Sequence, residues 1–206
     1  MKKILCFGDS NTYGYNPKDG SRYGLGVRWT SILSEKLDGY EVIEEGLCGR
    51  TTIFDDLYRE GRRGTQTFPD ILKEHKLLDT IIIMLGTNDC KTAYGADAQI
   101  IGEGILEIIG QAREYSPLSK ILLVSPIYLG ERVYEEGFDE EFSKDSIDVS
   151  KSLEIVYERI SKENNLEFMR AEDYASCSEI DQEHMNEQGH RKLGEAIYQK
   201  LINEVL

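Results

Sequence analysis

Five short apolar, partly β-branched runs recur along the chain, at Lys3–Phe7, Glu41–Glu44, Thr80–Leu85, Lys120–Ser125 and Leu166–Met169. Apolar runs of this length read as strands buried on both faces. Segments of helical period lie between them. Trp29–Leu37 is apolar at 29, 32, 33 and 37, Ile100–Ala112 at 101, 105, 108, 109 and 112, and Ser152–Ile160 keeps the same spacing. A last helix is expected to start at Asn186 as N-cap and to bury Leu193, Ile197, Leu201 and Val205 on one face. Strands that alternate with helices need crossover connections, so the pattern predicts an α/β fold on a mainly parallel sheet. The acidic stretch Gly130–Asp148 has no clear period and is expected to be a long surface loop or mobile flap with some helix, placed where it can cover a site.

At 206 residues the chain is expected to form one domain, residues 1–206, with a substantial core. The formal net charge of −14 disfavours nucleic acid, which needs clustered Lys and Arg, and disfavours anionic membrane surfaces. Lys2-Lys3 precedes an apolar run too short for a secretory signal, which needs about seven residues or more. Ile81–Leu85 falls far short of a membrane span of about 20 residues. A cytoplasmic location is therefore expected. Cys6, Cys48, Cys90 and Cys177 are scattered without zinc-site spacing and read as reduced structural thiols.

Polar motifs follow three of the strands. Phe7-Gly8-Asp9-Ser10-Asn11-Thr12 ends the first, Glu45-Gly46-Leu47-Cys48-Gly49-Arg50-Thr51-Thr52 the second, and Gly86-Thr87-Asn88-Asp89 the third. A flavodoxin-like, three-layer α/β/α sandwich with a five-stranded parallel sheet in the order 2-1-3-4-5 makes these strands neighbours, and ligands bind beyond the carboxyl ends of such sheets. With strands roughly 4.8 Å apart, the Ser10 N–H, the Gly49 N–H and the Asn88 side-chain amide can converge on one oxygen, as an oxyanion hole requires. Taken alone, Gly49 reads as a turn glycine and Asn88 equally well as a loop cap. Their combination with Ser10 favours function. Asp9 and Asp89 are expected to hold turn backbone.

A serine nucleophile needs a base, and the chain has three histidines. His75 lies in a charged run and reads as a surface residue. His190 falls inside the last helix, where it packs or caps. His184 alone follows an Asp by three residues, in Asp181-Gln182-Glu183-His184. That spacing can set the Asp181 carboxylate at Nδ1 and leave Nε2 free for the Ser10 proton. Ser10, Asp181 and His184 are the expected catalytic residues.

On these motifs the chain resembles the SGNH (GDSL-type) hydrolases, whose blocks are matched by Ser10, Gly49, Asn88 and His184, with Asp181 as the acid. Val27-Arg28-Trp29-Thr30, Val42-Ile43-Glu44-Glu45-Gly46-Leu47 and Ile82-Ile83-Met84-Leu85-Gly86-Thr87-Asn88-Asp89 are similar to the bacterial arylesterase/acyltransferase subgroup. The resemblance implies hydrolysis of short-chain, often acetyl, esters through an acyl-Ser10 intermediate, with no cofactor and no metal and a small-molecule ester as partner. It also implies that acyl transfer to alcohols, sugar deacetylation and a homo-oligomer are open to this scaffold.

The chain departs from the family pattern at Asn11 and Glu183, where an apolar residue is common. Neither change removes a catalytic group, and Glu183 is expected either to alter polarity near the imidazole or to face solvent. Tyr13, Tyr15 and Trp29 read equally as pocket wall or core. The first turn is not GxGxxG, no GxxxxGK[ST] occurs, and Ser10 is not in GxSxG, which disfavours nucleotide binding and the α/β-hydrolase arrangement. A non-catalytic binding module is the remaining rival.

Overall fold

Side chains alternate across an extended strand, so Ile4 and Cys6 leave the first strand on one side and Leu5 and Phe7 on the other. All four are fully buried, which requires cover on both faces. In the computed structural model, which describes residues 1–206, β1 (Lys2–Gly8) lies between β2 (Tyr40–Gly46) and β3 (Thr80–Met84). With β4 (Lys120–Ser125) and β5 (Glu167–Arg170) they form a parallel sheet in the order β2-β1-β3-β4-β5. On one face α3 (Gly64–Glu74), α4 (Ala98–Tyr115) and α5 (Lys144–Asn164) pack Phe68, Ile101, Ile105, Leu153 and Val156 against Leu5 and Phe7. On the other, α2 (Trp29–Lys36) and α6 (Glu187–Lys200) pack Trp29, Leu33, Leu193 and Ile197 against Ile4 and Cys6. The expected sandwich and strand order are both present.

Three expectations need correction. β2 is an edge strand, so its residues are half-exposed or exposed instead of buried on both faces. Its Glu44 is bound by Arg28 (2.9 and 3.0 Å), Thr30 Oγ1 (2.9 Å) and Arg22 (2.7 Å), which fastens the start of α2 to the sheet edge. Helix α3 has no counterpart among the expected helices, because Gly64, Thr65, Thr67 and an internal Pro69 all argue against helix. Pro69 has no N–H for the Thr65 carbonyl four residues back. The Gln111 side chain on α4 donates to that carbonyl instead (2.8 Å), so a tertiary contact completes what the local sequence lacks.

The acidic stretch 130–148 divides. A capping pair, Ser143 and Ser146, starts α5 at Lys144, well before the expected Ser152. The remainder is an ordered loop, with Gly130 N donating to Gln182 O (2.7 Å) and Thr92 N to Glu141 O (2.9 Å). Asn186 caps α6 as expected, its Oδ1 accepting from Gly189 N (2.9 Å). His190 packs instead of capping. It is fully buried, edge-on to Tyr23 at 5.4 Å, and burial pushes its pKa down to about 3. It therefore stays neutral through the physiological range.

The register decides where function sits. Gly8 is opposite Gly46 on one side and Met84 on the other, so the first three strands end at one level. The four-residue helix α1 (Ser10–Tyr13) folds directly over that edge. A Cβ on Gly46 would lie 2.1 Å from Tyr13 N, a backbone atom that cannot swing away. Gly46→Ala must therefore lift α1 off the sheet. The expected loss of stability is about 3 kcal/mol, read as a lower urea midpoint at unchanged slope.

Candidate active site

Because β1 ends at Gly8, the chain must turn at once to avoid running into solvent. Asp9 provides the turn, its Oδ1 accepting from Asn11 N (2.9 Å) at the start of α1. Burial raises Asp9 to about 6, opposed by the Asn11 N–H and the nearby His184. Ser10 is thereby the first helical residue, with its hydroxyl turned toward the C-terminal loop.

That loop carries Asp181 and His184 back to the carboxyl edge of the sheet. Asp181 Oδ1 accepts from the backbone N–H groups of Glu183 (3.1 Å) and His184 (3.0 Å), leaving Oδ2 for His184 Nδ1 at 2.7 Å. His184 Nε2 lies 2.8 Å from Ser10 Oγ. Burial would lift the Asp181 carboxyl, but its bonds to His184 and to backbone hold it below the ordinary value. For His184, burial would lower the pKa; the Glu183 and Asp181 carboxylates outweigh it and raise the ring above its ordinary value. Tyr15 lies over the imidazole with ring centroids 4.3 Å apart.

Asn11, not among the predicted site residues, clasps this loop to α1. Its Oδ1 accepts from Met185 N (3.0 Å) and its Nδ2 donates to Glu183 O (3.4 Å), on either side of His184. Both Asn11 and Met185 are buried. The departure from an apolar residue at position 11 was the signal, since an amide beside the nucleophile needs partners once buried.

Gly49 and Asn88 arrive from the neighbouring strand ends. Gly49 has φ +80°, a left-handed conformation that favours glycine. Neither its N–H nor that of Ser10 bonds to another protein group. One Asn88 amide hydrogen is given to Arg50 O (3.1 Å) and the second is unassigned. Arg50 in turn donates to Gly8 O (2.9 Å) and Glu45 O and stacks on Phe7, tying the β1 and β2 ends together. Asp89 accepts from Thr52 N (2.8 Å) and Thr52 Oγ1 (2.6 Å), which anchors the Gly49–Thr52 segment to the Asn88 turn; burial nonetheless lifts its carboxyl to about 7. So Ser10, Gly49, Asn88, Asp181 and His184 are all brought to one edge.

Other expectations divide. Trp29 is core, its Nε1 donating to Asn11 O (3.1 Å), whereas Tyr15 faces the site and Tyr13 carries Arg22 over its ring. His75 is half-buried and 3.2 Å from Glu45 instead of free at the surface. Glu183 does not face solvent. It is buried with Oε1 3.8 Å from His184 Nε2. All four cysteines are free thiols. No group of three or more His, Cys, Asp or Glu converges as a metal ligand set.

A Ser–His–Asp chain at the carboxyl edge of a 2-1-3-4-5 sheet, with Ser10 and His184 buried and Asp181 half-buried, is the arrangement of the GDSL-type hydrolases. Residues 6–192 match the GDSL-like lipase/acylhydrolase family, and the chain belongs to it. No curated protein matches the sequence closely. Among solved structures, a carbohydrate acetylesterase family member from Sinorhizobium meliloti is 31% identical, with 100% of this chain and 99% of that one covered at a TM-score of 0.92. Est24, a carbohydrate acetylesterase from the same organism, is 34% identical over 98% of this chain and 99% of its own at 0.92. The Mycobacterium smegmatis aryl esterase is 32% identical over 100% of both chains at 0.89. No helix is long and apolar enough to cross a membrane.

The Asn11 clasp has a measurable consequence. Asn11→Ala leaves the buried Met185 N–H without an acceptor, at a cost of about 1–3 kcal/mol. Hydrogen exchange at the Met185 amide should accelerate, while Asn11→Asp, which keeps the acceptor, should retain most of the protection.

Proposed function

We propose that the chain is a serine esterase acting on short-chain, acetyl-type carboxylic esters through an acyl-Ser10 intermediate. The observation that carries this reading is the continuous contact from Asp181 through His184 to Ser10, at 2.7 and 2.8 Å. Beside it stand the unpaired N–H groups of Ser10 and Gly49. In this mechanism Ser10 Oγ attacks the ester carbonyl carbon as its proton passes to His184 Nε2. The carbonyl oxygen becomes negative and is received by Ser10 N–H, Gly49 N–H and the second Asn88 amide hydrogen. The C–O bond to the leaving group breaks, and Nε2 returns the proton to the departing alkoxide. Asp181 holds the ring with Nε2 outward and stabilises the imidazolium without taking its proton. Water then repeats the sequence on the acyl-enzyme.

Aryl acetates and acetylated sugars are the proposed substrates. Support comes from the full-length similarity to an aryl esterase and to carbohydrate acetylesterases. Acyl transfer from the same intermediate is the second reading, since it differs only in which nucleophile reaches the carbonyl.

Ser10→Ala should lower p-nitrophenyl acetate turnover by several orders of magnitude in a folded protein, and the acetyl adduct on Ser10 should vanish from the intact mass spectrum. Normal turnover in folded Ser10→Ala would remove the proposal. Asn88→Ala should lower kcat by about 10²–10³ with KM little changed, because the bond forms only as charge develops. The reverse pattern would make Asn88 a turn former only.

The pH profile tests the base. His184 must be neutral to accept the Ser10 proton, and its pKa is raised by Glu183 and Asp181 against burial. Activity should therefore fall as pH drops, with a kcat/KM midpoint above about 6.5. Glu183→Gln removes one carboxylate that favours the imidazolium, so the midpoint should move down.

A further inference from the structure

Glu183 is nine-tenths buried, yet no protein N–H or O–H donates to its carboxylate. Its neighbours do not supply the missing partner. The Lys91 ammonium is taken by Glu141 at 2.5 Å, and Asp139 and Asp181 add negative charge around it. The side chain is held in place by its own backbone, whose N–H donates to Asp181 (3.1 Å) and whose carbonyl accepts from Asn11 (3.4 Å). Oε1 lies 3.8 Å from His184 Nε2, the atom that must hand protons to and from the reacting oxygen. A buried carboxylate with no donor is costly unless something entering the site supplies one.

The geometry points to Glu183 as a positioning residue that selects the nucleophile for the acyl-enzyme, favouring water and polyhydric alcohols over simple alcohols. This assignment rests on the esterase reading above. The 3.8 Å between Nε2 and Oε1 is short enough for one water to sit about 2.8 Å from each. Water has two hydrogens. One goes to Nε2 as the water oxygen bonds to the acyl carbon; the other is held by Glu183 and is not transferred. The tetrahedral intermediate then collapses, the bond from acyl carbon to Ser10 Oγ breaks, and the Nε2 proton passes to Oγ. Acetic acid leaves.

A monohydric alcohol has one hydroxyl hydrogen, which Nε2 takes. Its alkyl group must then sit against a buried, unpaired carboxylate, which opposes binding. A vicinal diol restores the second hydrogen bond with its neighbouring hydroxyl. The residue at 183 thus distinguishes acceptors by their count of donors, a property that an apolar residue there cannot have.

The test is competition for one acyl-enzyme. Wild-type protein, Glu183→Ile and Glu183→Gln turn over p-nitrophenyl acetate in water containing either propan-1-ol or ethylene glycol, and acetate and acetyl ester are quantified by gas chromatography. The product ratio is set after acylation, so it is independent of the acylation rate and of the fraction folded. In wild type, ethylene glycol should capture more acetyl than propan-1-ol at equal concentration. Glu183→Ile should raise the propan-1-ol-to-water ratio by about tenfold or more, the size expected for one bond to a charged acceptor, and abolish the diol preference. Glu183→Gln keeps a neutral acceptor and should fall between. An unchanged ratio in active Glu183→Ile would overturn the assignment and leave the esterase intact. An equal rise for both alcohols would mean added space instead of lost hydrogen bonding and would overturn it too. Failure of wild type to form any acyl-Ser10 would overturn both.

Discussion

The common level of the first three strand ends is the constraint on which the rest of the molecule depends. Parallel pairing places Gly8 beside Gly46 and Met84, so three loops leave the sheet within two strand spacings of one another. Ser10, Gly49 and Asn88 need no long excursion to meet. The cost is crowding, visible in the absence of room for a Cβ at Gly46. Arg50 then locks the arrangement by bonding to Gly8 O and Glu45 O while its own carbonyl holds Asn88.

Four buried or half-buried carboxylates surround that edge, and their partners separate their roles. Asp89 is bound by Thr52 and serves as a loop anchor. Asp9 accepts a backbone N–H and sets the turn into α1. Asp181 accepts two backbone N–H groups and the imidazole, which keeps it ionised beside His184. Glu183 alone has no donor from the protein. Such unlike environments for like groups are how a fold assigns different tasks to one residue type. The overall negative charge adds a general bias toward cationic imidazole, which makes the neutral form of His184 a matter of pH.

Much of this was legible in advance. Apolar runs with strand length, amphipathic periods and the Asn186 cap depend on local rules, and the structure follows them at β1, β3, β4, α4 and α6. The strand-end motifs were legible because a single topology makes their strands neighbours. Helix α3 was not legible, since its Pro69 breaks a local hydrogen bond that only Gln111, on another helix, replaces. The half-exposed character of β2 was missed for a related reason: edge position is a property of the whole sheet. The even choice between core and pocket for Trp29 and Tyr15 could be settled only by distance, with Trp29 buried under Asn11 and Tyr15 over His184.

The sequence by itself determined the α/β class and the set of polar residues at the strand ends, because these follow from local periodicity; the strand order was an expectation tied to the flavodoxin-like topology, and the paired sheet bears it out. Only the tertiary structure decided how Asn11 clasps both sides of His184 and how the 126–143 loop closes onto Gln182 and Thr92. It also decided that Glu183 turns inward with no donor of its own. The Asn11 contacts span more than 170 positions and the loop contacts about 50, and their partners are fixed by the shape of the packed chain, to which no local pattern refers.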